Sequence, residues 1–167
     1  MMRKALFLFF FSIGLVSQAQ DSEPKLVSGI SWGYIIPQEN LDVVYDHGFA
    51  FIGNFDYRFN KNLIGRFDIG WNDLSGPETQ YIDTAGVVHT NHPNRSILEI
   101  TAGLRAAYSY FYVEARGGYF TGINEWGVVP AVGVRIKKFD IQGSYTLTED
   151  HNWATIRASY YFGEGKK

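Results

Sequence analysis

Arginine and carboxylate side chains recur inside alternating segments of this 167-residue chain, and their chemistry demands an explanation. Arg is preferred where a cation is buried, because its planar guanidinium donates several hydrogen bonds at once. Every Lys after residue 20 lies by contrast near a terminus or a predicted short turn. We interpret the Arg and carboxylate set as a charge-paired interior, the lumen charge network: Asp56, Arg58, Arg66, Asp68, Glu99, Arg105, Glu114, Arg116, Arg135, Asp140 and Arg157.

Residues with catalytic or metal-binding chemistry are few. The chain has no Cys, and its four His all fall in predicted loops. Two adjacent Asp–His pairs, at 46–47 and 150–151, are the candidates for a lipid A-modifying hydrolase, but no nucleophile motif accompanies them. His89 and His92 lack a third metal ligand. We therefore predict no enzyme, no metal site and no cofactor.

The segments that carry the charges alternate apolar and polar residues with a period of two, which is the pattern of β-strands. We predict eight strands, at 26–36, 49–59, 63–72, 96–106, 110–120, 126–136, 139–148 and 153–162. Each is long enough for a tilted strand to cross a bilayer. Short and long connections alternate, as in outer-membrane barrels with short periplasmic turns. The predicted fold is all-β, an eight-stranded antiparallel up-and-down transmembrane β-barrel.

Aromatic residues help to decide which face of the barrel is outside, because a soluble barrel alternates in the same way with its faces reversed. Three of the four Trp residues share the apolar face near the long-loop ends, Trp153 falls out of phase, and further aromatics lie on the apolar face near the short turns. Two such belts are typical of lipid–water interfaces. The predicted belts are Trp32, Trp71, Trp126, Tyr57, Phe59, Phe111, Phe139, Tyr160 and Phe162.

The N-terminus has the features of a cleavable signal peptide, which we place at 1–19. A basic head precedes an apolar run at 5–16, and the small residues Ser17 and Ala19 follow. The apolar run is too short for a membrane-spanning helix. The barrel domain would then be 20–167. Loss of the two basic residues of the leader takes the formal net charge from −2 to −4, which does not suggest a nucleic-acid partner.

The leader, the eight strands and the final strand at 153–162 (WATIRASYYF) resemble the small OmpA/OmpX-like outer-membrane β-barrel domain family. The resemblance implies residence in the outer membrane of a Gram-negative bacterium, contact with its lipids and lipopolysaccharide, and insertion by the barrel-assembly machinery. In the family this machinery reads terminal aromatics, matched here by Tyr160 and Phe162. Two departures from the pattern concern that step: Arg157 stands where Gly is common, and 163–167 trail beyond the last strand.

Function is expected in the long acidic loops, because the interior of an eight-stranded barrel is just wide enough for side chains to fill it. The loop at 73–95 contains two short alternating segments, which predict a small hairpin. Its candidate recognition residues are Tyr81, Asp83, His89 and His92. We predict a plugged barrel with a structural or surface-interaction role and an unspecified ligand. A narrow ion channel, a lipid A-modifying hydrolase and a soluble periplasmic ligand-binding barrel stay open as alternatives.

Overall fold

The computed structural model describes residues 26–82, 88–91 and 93–162. The predicted signal peptide at 1–19, the tail at 163–167, and the candidates Asp83 and His92 lie outside this part of the chain. Its strands are β1 (Leu26–Gln38), β2 (His47–Arg58), β3 (Leu63–Ser75), β4 (Thr79–Ile82), β5 (Val88–Asn91), β6 (Asn94–Tyr108), β7 (Phe111–Phe120), β8 (Glu125–Ile136), β9 (Phe139–Thr146) and β10 (Asn152–Phe162). Among these residues, no helix has the length and apolarity needed to cross a membrane.

Eight of the strands close into one antiparallel barrel in the order β1-β10-β9-β8-β7-β6-β3-β2. β1 and β10 complete the ring, with partners running from Ser28 and Phe162 to Gln38 and Asn152. Closure leaves the barrel without an unpaired strand edge, because every strand has two neighbours. The predicted eight-stranded antiparallel barrel is therefore confirmed, and each predicted strand boundary lies within three residues of the observed one.

A separate two-stranded sheet, formed by β4 and β5, stands in the connection between β3 and β6. It corresponds to the hairpin that the sequence predicts in this loop, but its first strand begins at Thr79 rather than at Tyr81. In the backbone register Tyr81 pairs with His89. Two of the four candidate recognition residues are thus opposite each other on this hairpin.

The turns at the opposite end of the barrel are tight. The β6–β7 and β8–β9 turns contain two residues each, and Ser109 and Lys137 adopt the left-handed conformation there, with φ of 57° and 55°. In the β2–β3 turn, Oδ1 of Asn60 accepts hydrogen bonds of 2.8 Å from the backbone N of both Asn62 and Leu63. This side-chain bridge replaces backbone partners that a short turn cannot supply. We call this end of the molecule the short-turn end.

The interior of the barrel is divided into two layers. The loop end is filled by apolar side chains, including Leu41 from the β1–β2 loop and Ile123 from the β7–β8 loop. Trp153 is almost fully buried there, with its ring edge-on to Phe120 at 5.3 Å. This loop-end apolar cap consists of Ile35, Leu41, Ala50, Ile52, Leu74, Ile97, Phe120, Ile123, Val129 and Trp153. The charged interior expected from the sequence occupies the remaining part, because two loops fold over the barrel and bring apolar residues into it.

Replacement of Gly103 by Ala tests the close approach of β6 and β7. A Cβ at Gly103 would overlap the backbone oxygen of Ala115, whereas nothing lies within 4 Å of a Cβ at Gly143. We expect Gly103→Ala to lower the free energy of unfolding by about 1–3 kcal/mol and Gly143→Ala to change it by less than about 0.5 kcal/mol. Urea titrations of the two refolded variants, followed by Trp fluorescence, measure the difference. Equal effects would contradict this packing.

Candidate functional site

Asp68 is the centre of the lumen charge network. It follows Arg66 by two residues on β3, so both side chains point into the barrel, and Nε of Arg66 lies 2.8 Å from Oδ1 of Asp68. The other oxygen, Oδ2, accepts from Nη1 of Arg157 at 3.1 Å and from Nη1 of Arg116. Nδ2 of Asn54 donates to Oδ1 at 3.0 Å. One carboxylate therefore joins strands β2, β3, β7 and β10.

A second centre is Glu114 on β7. Its Oε2 accepts from Nε of Arg105 at 2.7 Å, and its Oε1 lies 2.8 Å from Nε of Arg116. Nε2 of Gln142 donates to Oε1 at 3.1 Å. Arg105 extends the chain of charges because its Nη1 lies 2.9 Å from Oδ2 of Asp140. Arg66, Arg105 and Arg116 each contact more than one carboxylate, so the charges form a continuous network rather than separate pairs.

The ends of the network differ in their surroundings. Towards the loop end, Glu99 lies 3.1 Å from Nη1 of Arg116 and accepts from Nδ2 of Asn72 at 3.0 Å. Towards the short-turn end, Nη1 of Arg135 lies 2.7 Å from Oδ2 of Asp56. The side-chain amide of Asn72 therefore completes the network at the loop end, and the half-buried guanidinium of Arg135 completes it at the short-turn end.

The structure buries nine of the eleven side chains of this network inside the barrel. Asp56 and Asp68 are 0% exposed and Arg105 is 1% exposed. The other two, Arg58 and Arg135, are half-buried, because Arg58 is the last residue of β2 and Arg135 is the last but one of β8. Buried ions are costly unless they are paired and hydrogen-bonded. The shared contacts meet that requirement and tie the register of several strands together.

Two tyrosines that were not predicted from the sequence also belong to this site. The hydroxyl of Tyr112 donates to Oδ1 of Asp140 at 2.5 Å, and the guanidinium of Arg105 lies 3.7 Å from the centre of the Tyr112 ring. The guanidinium of Arg135 lies 3.7 Å from the centre of the Tyr161 ring. Both tyrosines alternate in step with the charged residues of their strands. That shared parity was the signal that could have assigned them to the interior.

The aromatic residues of the predicted belts lie on the outer surface. Phe59 and Tyr160 are half-buried, and the Tyr160 ring packs edge-on against Phe139 at 5.3 Å and Phe162 at 5.4 Å. The exposed members are Trp32, Trp71, Trp126, Tyr57, Phe111, Phe139 and Phe162. Their outward direction agrees with contact to lipid, and their role at a membrane interface stays a prediction.

The position of Trp32 along its strand differs from the predicted one. It is the central residue of β1 rather than near the loop end of its strand, because β1 continues to Gln38. The backbone register places it beside Phe51, which is in turn beside Trp71. Phe51 is also exposed and was not assigned to a belt from the sequence. These three rings therefore form one row across β1, β2 and β3.

The histidine near the β9–β10 loop does not pair with its sequence neighbour. Nδ1 of His151 lies 2.5 Å from Oε1 of Glu125, and the backbone N of Asp150 donates to Oε2 of Glu125 at 3.2 Å. Burial favours the neutral acid, but hydrogen bonds from Thr148, from Asp150 and from His151 outweigh it and lower the pKa of Glu125, which lies at the loop end of β8. This cluster ties the β9–β10 loop to β8. The sequence-adjacent pair considered for a hydrolase is not formed.

His47 is the first residue of β2 and not a loop residue, as the sequence analysis had placed it. Its ring is stacked on that of Tyr34, with an interplanar angle of 9° and centres 6.3 Å apart, and is edge-on to Phe49 at 5.9 Å. The environment is thus aromatic. In the described part of the chain, no group of three or more His, Cys, Asp or Glu is arranged to hold a metal ion.

Solved structures with a similar fold include two of the protein Ail of Yersinia pestis. Outer membrane protein Ail in a phospholipid bilayer nanodisc has a TM-score of 0.53 and 14% identity, covering 83% of this chain and 100% of the matched chain. Ail in a crystal with the heparin analogue sucrose octasulfate has a TM-score of 0.51 and 15% identity, covering 84% and 100%. No protein-family model and no curated protein sequence matches the chain. The structural matches show that the chain has the fold of the small OmpA/OmpX-like barrels.

Neutralisation of Asp68 tests whether the network holds the barrel together. We expect Asp68→Asn to lower the free energy of unfolding by about 3–5 kcal/mol, because three guanidiniums lose a shared anion in a buried site. Asp73→Asn is the matched control, since Asp73 lies on the outer face and accepts from Ser96 at 2.7 Å through an oxygen that Asn retains. Urea titration of the refolded proteins gives both values.

A second variant keeps this test decisive if Asp68→Asn refolds poorly. Removal of one excess cation in the double variant Asp68→Asn/Arg157→Gln should recover at least about 1 kcal/mol relative to Asp68→Asn alone, because residues in one network couple. A loss in the double variant that equals the sum of the two single losses would contradict a shared network.

Proposed function

We propose that the chain is an integral outer-membrane barrel of a Gram-negative bacterium with a structural or surface-interaction role. In this proposal the lumen is plugged by the charge network and the loop-end apolar cap. The long loops face the cell exterior and the short turns face the periplasm. The chain is exported with a cleavable signal peptide at 1–19 and inserted by the barrel-assembly machinery.

The observation that carries this proposal is a distribution of polarity opposite to that of a water-soluble protein, with apolar side chains outside and charged side chains inside. The outer surface exposes large apolar side chains along the strands, with Val132 61%, Ile141 64% and Ile156 59% exposed, while Asp68 and Arg105 are buried inside. Apolar surface in water costs about 25 cal/mol per Å², so a continuous apolar exterior favours a lipid environment. A soluble periplasmic ligand-binding barrel would need the opposite arrangement, with the apolar face around a ligand cavity.

The backbone also suits a bilayer. Barrel strands of 8 to 15 residues are compatible with the 9–11 residues that a tilted strand needs to cross the apolar core. Closure pairs the backbone groups of each strand with two neighbours, which a membrane interior requires because water is absent there. These features support a spanning barrel over one that lies at the membrane surface.

The orientation follows from the chemistry of the two ends. The loops at the cap end are acidic, with Glu39, Asp42 and Asp46 in the β1–β2 loop. Lysines concentrate at the short turns. Outer-membrane barrels have short periplasmic turns and longer outer loops. Outer-membrane lipids and lipopolysaccharide would surround the apolar exterior, and the terminal aromatics Tyr160 and Phe162 would serve recognition by the assembly machinery.

The surface ligand would differ in charge from the one bound by Ail. Ail has been crystallised with a heparin analogue, sucrose octasulfate, which is a polyanion. The acidic loops of the present chain would repel such a ligand, because like charges at close range are unfavourable. A basic partner, or divalent cations bridging the loops to lipopolysaccharide, fits their charge.

Neither an ion channel nor a hydrolase is favoured by a specific contact. The cap places Leu41, Phe120 and Trp153 across the interior, and the charge network fills the layer beneath it. His151 contacts Glu125, and His47 lies among aromatic rings, so neither forms the pair with its sequence-adjacent Asp that a hydrolase site would use. We therefore infer a non-enzymatic, non-conducting barrel.

A charge placed on the outer face tests contact with lipid. We expect Ile156→Arg to destabilise the barrel in phospholipid vesicles by about 2–4 kcal/mol, as for a cation near the bilayer midplane, because Ile156 is the fifth of the eleven residues of β10 and is 59% exposed. Val43→Arg is the control, because Val43 is 82% exposed in the β1–β2 loop, and it should change stability by less than about 0.5 kcal/mol. Urea titration in vesicles measures both. An Ile156→Arg variant with unchanged stability would overturn the membrane assignment, since water tolerates Arg at an exposed position.

A further inference from the structure

The short-turn end of the barrel contains a cavity that the plugged-lumen prediction did not anticipate. Its volume is about 370 Å³, and it is bordered by the β2–β3, β6–β7 and β8–β9 turns. We call it the short-turn mouth. It is separated from the long loops by the charge network and the cap, so any ligand there would be independent of the surface role proposed above.

The charge of the short-turn mouth is strongly positive. Five of the residues that line it are cationic, and none of the described residues that line it carries a carboxylate. These cations are Arg58, Lys61, Arg105, Arg135 and Lys137. A concave surface with one sign of charge concentrates counter-ions of the opposite sign. The mouth therefore favours an anionic ligand.

The carboxylates of the adjacent network are already engaged and do not cancel this charge. Asp56 lies 2.7 Å from Nη1 of Arg135, and 3.8 Å and 3.9 Å from nitrogens of Arg66 and Arg105. Glu114 is likewise shared among arginines. The network holds six Arg against five carboxylates, and the two lining lysines add further positive charge. The excess positive charge is located at the short-turn mouth.

Arg105 offers a donor that the network does not use. Its Nε donates to Glu114 at 2.7 Å and its Nη1 donates to Asp140 at 2.9 Å. Its Nη2 is buried and has no hydrogen-bond partner among the described residues, although Arg105 lines the cavity. A buried donor without a partner is unfavourable unless a ligand or water satisfies it. Nη2 has almost no accessible surface, as is true of an unpartnered nitrogen of Arg66 elsewhere in the network, so Arg105 contributes positive charge near the mouth rather than a separate sign of a ligand.

We propose that the short-turn mouth binds a phosphate group, either as a free phosphate compound or as the headgroup of an anionic phospholipid. Guanidinium groups match phosphate oxygens with paired hydrogen bonds, and ammonium groups add point charge. A single carboxylate would neutralise less of the positive charge than a phosphate dianion. Ile64 and Phe111 also line the cavity, which leaves apolar room for an organic group attached to the phosphate.

The test uses the refolded barrel in a neutral sugar detergent and Tris buffer at constant ionic strength. Inorganic phosphate is titrated, with chloride as the competing reference anion, and amide chemical shifts of the β6–β7 turn report binding. Lys61→Gln/Lys137→Gln removes the two rim cations and leaves the buried arginines in place. We expect saturable shifts whose Kd rises about fivefold in this double variant.

Lys138→Gln is the matched control. Lys138 occupies the same turn as Lys137, but its Nζ lies 5.9 Å from the centre of the Tyr160 ring and it does not line the cavity. Its substitution should leave the Kd for phosphate within about twofold, because distant exposed charges are screened by salt. Equal weakening in the control and in the double variant would overturn the site, since it would show a general charge effect.

A second arm separates the two sources of phosphate. The barrel is placed in bicelles of phosphatidylcholine with or without phosphatidylglycerol. Saturable shifts in the same amides with phosphatidylglycerol assign the site to a lipid headgroup; shifts with inorganic phosphate alone assign it to a free phosphate compound. No saturable shift with either probe refutes the site. Heat-dependent gel mobility of the same samples shows that the barrel is folded, so this failure would leave the membrane proposal intact.

Discussion

The interaction on which the rest of the structure depends is the sharing of buried carboxylates among several guanidiniums. Asp68 alone contacts Arg66, Arg116 and Arg157, which come from three different strands. Such a network costs desolvation, so its contribution lies in register and rigidity more than in net stability. It can exist only inside a closed barrel, since it needs donors from all sides. Once the charges are inside, the alternating side chains of each strand must be outside, and the strands become apolar towards their surroundings.

The two layers of the interior follow from this constraint. The charge network fills the part of the interior that no loop enters, towards the short-turn end. Its Arg side chains reach across the barrel. At the other end, Leu41 and Ile123 enter from loops and allow an apolar cap to form around Trp153. The inward Gly103 permits a close approach of the β7 backbone to β6. The long loops are thereby separated from the charge network, because the cap lies between them.

The sequence was sufficient for the fold because period-two alternation is a local property that survives in every strand. The same parity identified the charged interior, since Arg and carboxylate positions repeat in phase with small residues. Because all the cations on that face are Arg, we could predict that it points into the barrel. Contacts between segments that are distant in the sequence were harder to predict. The pairing of His151 with Glu125 depends on the position of the β9–β10 loop relative to the first residue of β8, which is 26 residues away in sequence. Likewise Trp153 and Tyr112 share the parity of the charged residues on their strands, but their partners Phe120 and Arg105 come from other strands and are known only from the closed barrel.

The measurement that tests the central claim most directly is fractionation of expressing cells followed by gel electrophoresis of heated and unheated samples. A closed barrel with an apolar exterior should appear in the outer-membrane fraction and migrate differently before and after heating, because detergent does not open its paired strands until they are heated. The account predicts that outcome. Recovery in the soluble periplasmic fraction, with the same mobility in both samples, would contradict it, because the exposed apolar face would then have to be in contact with water.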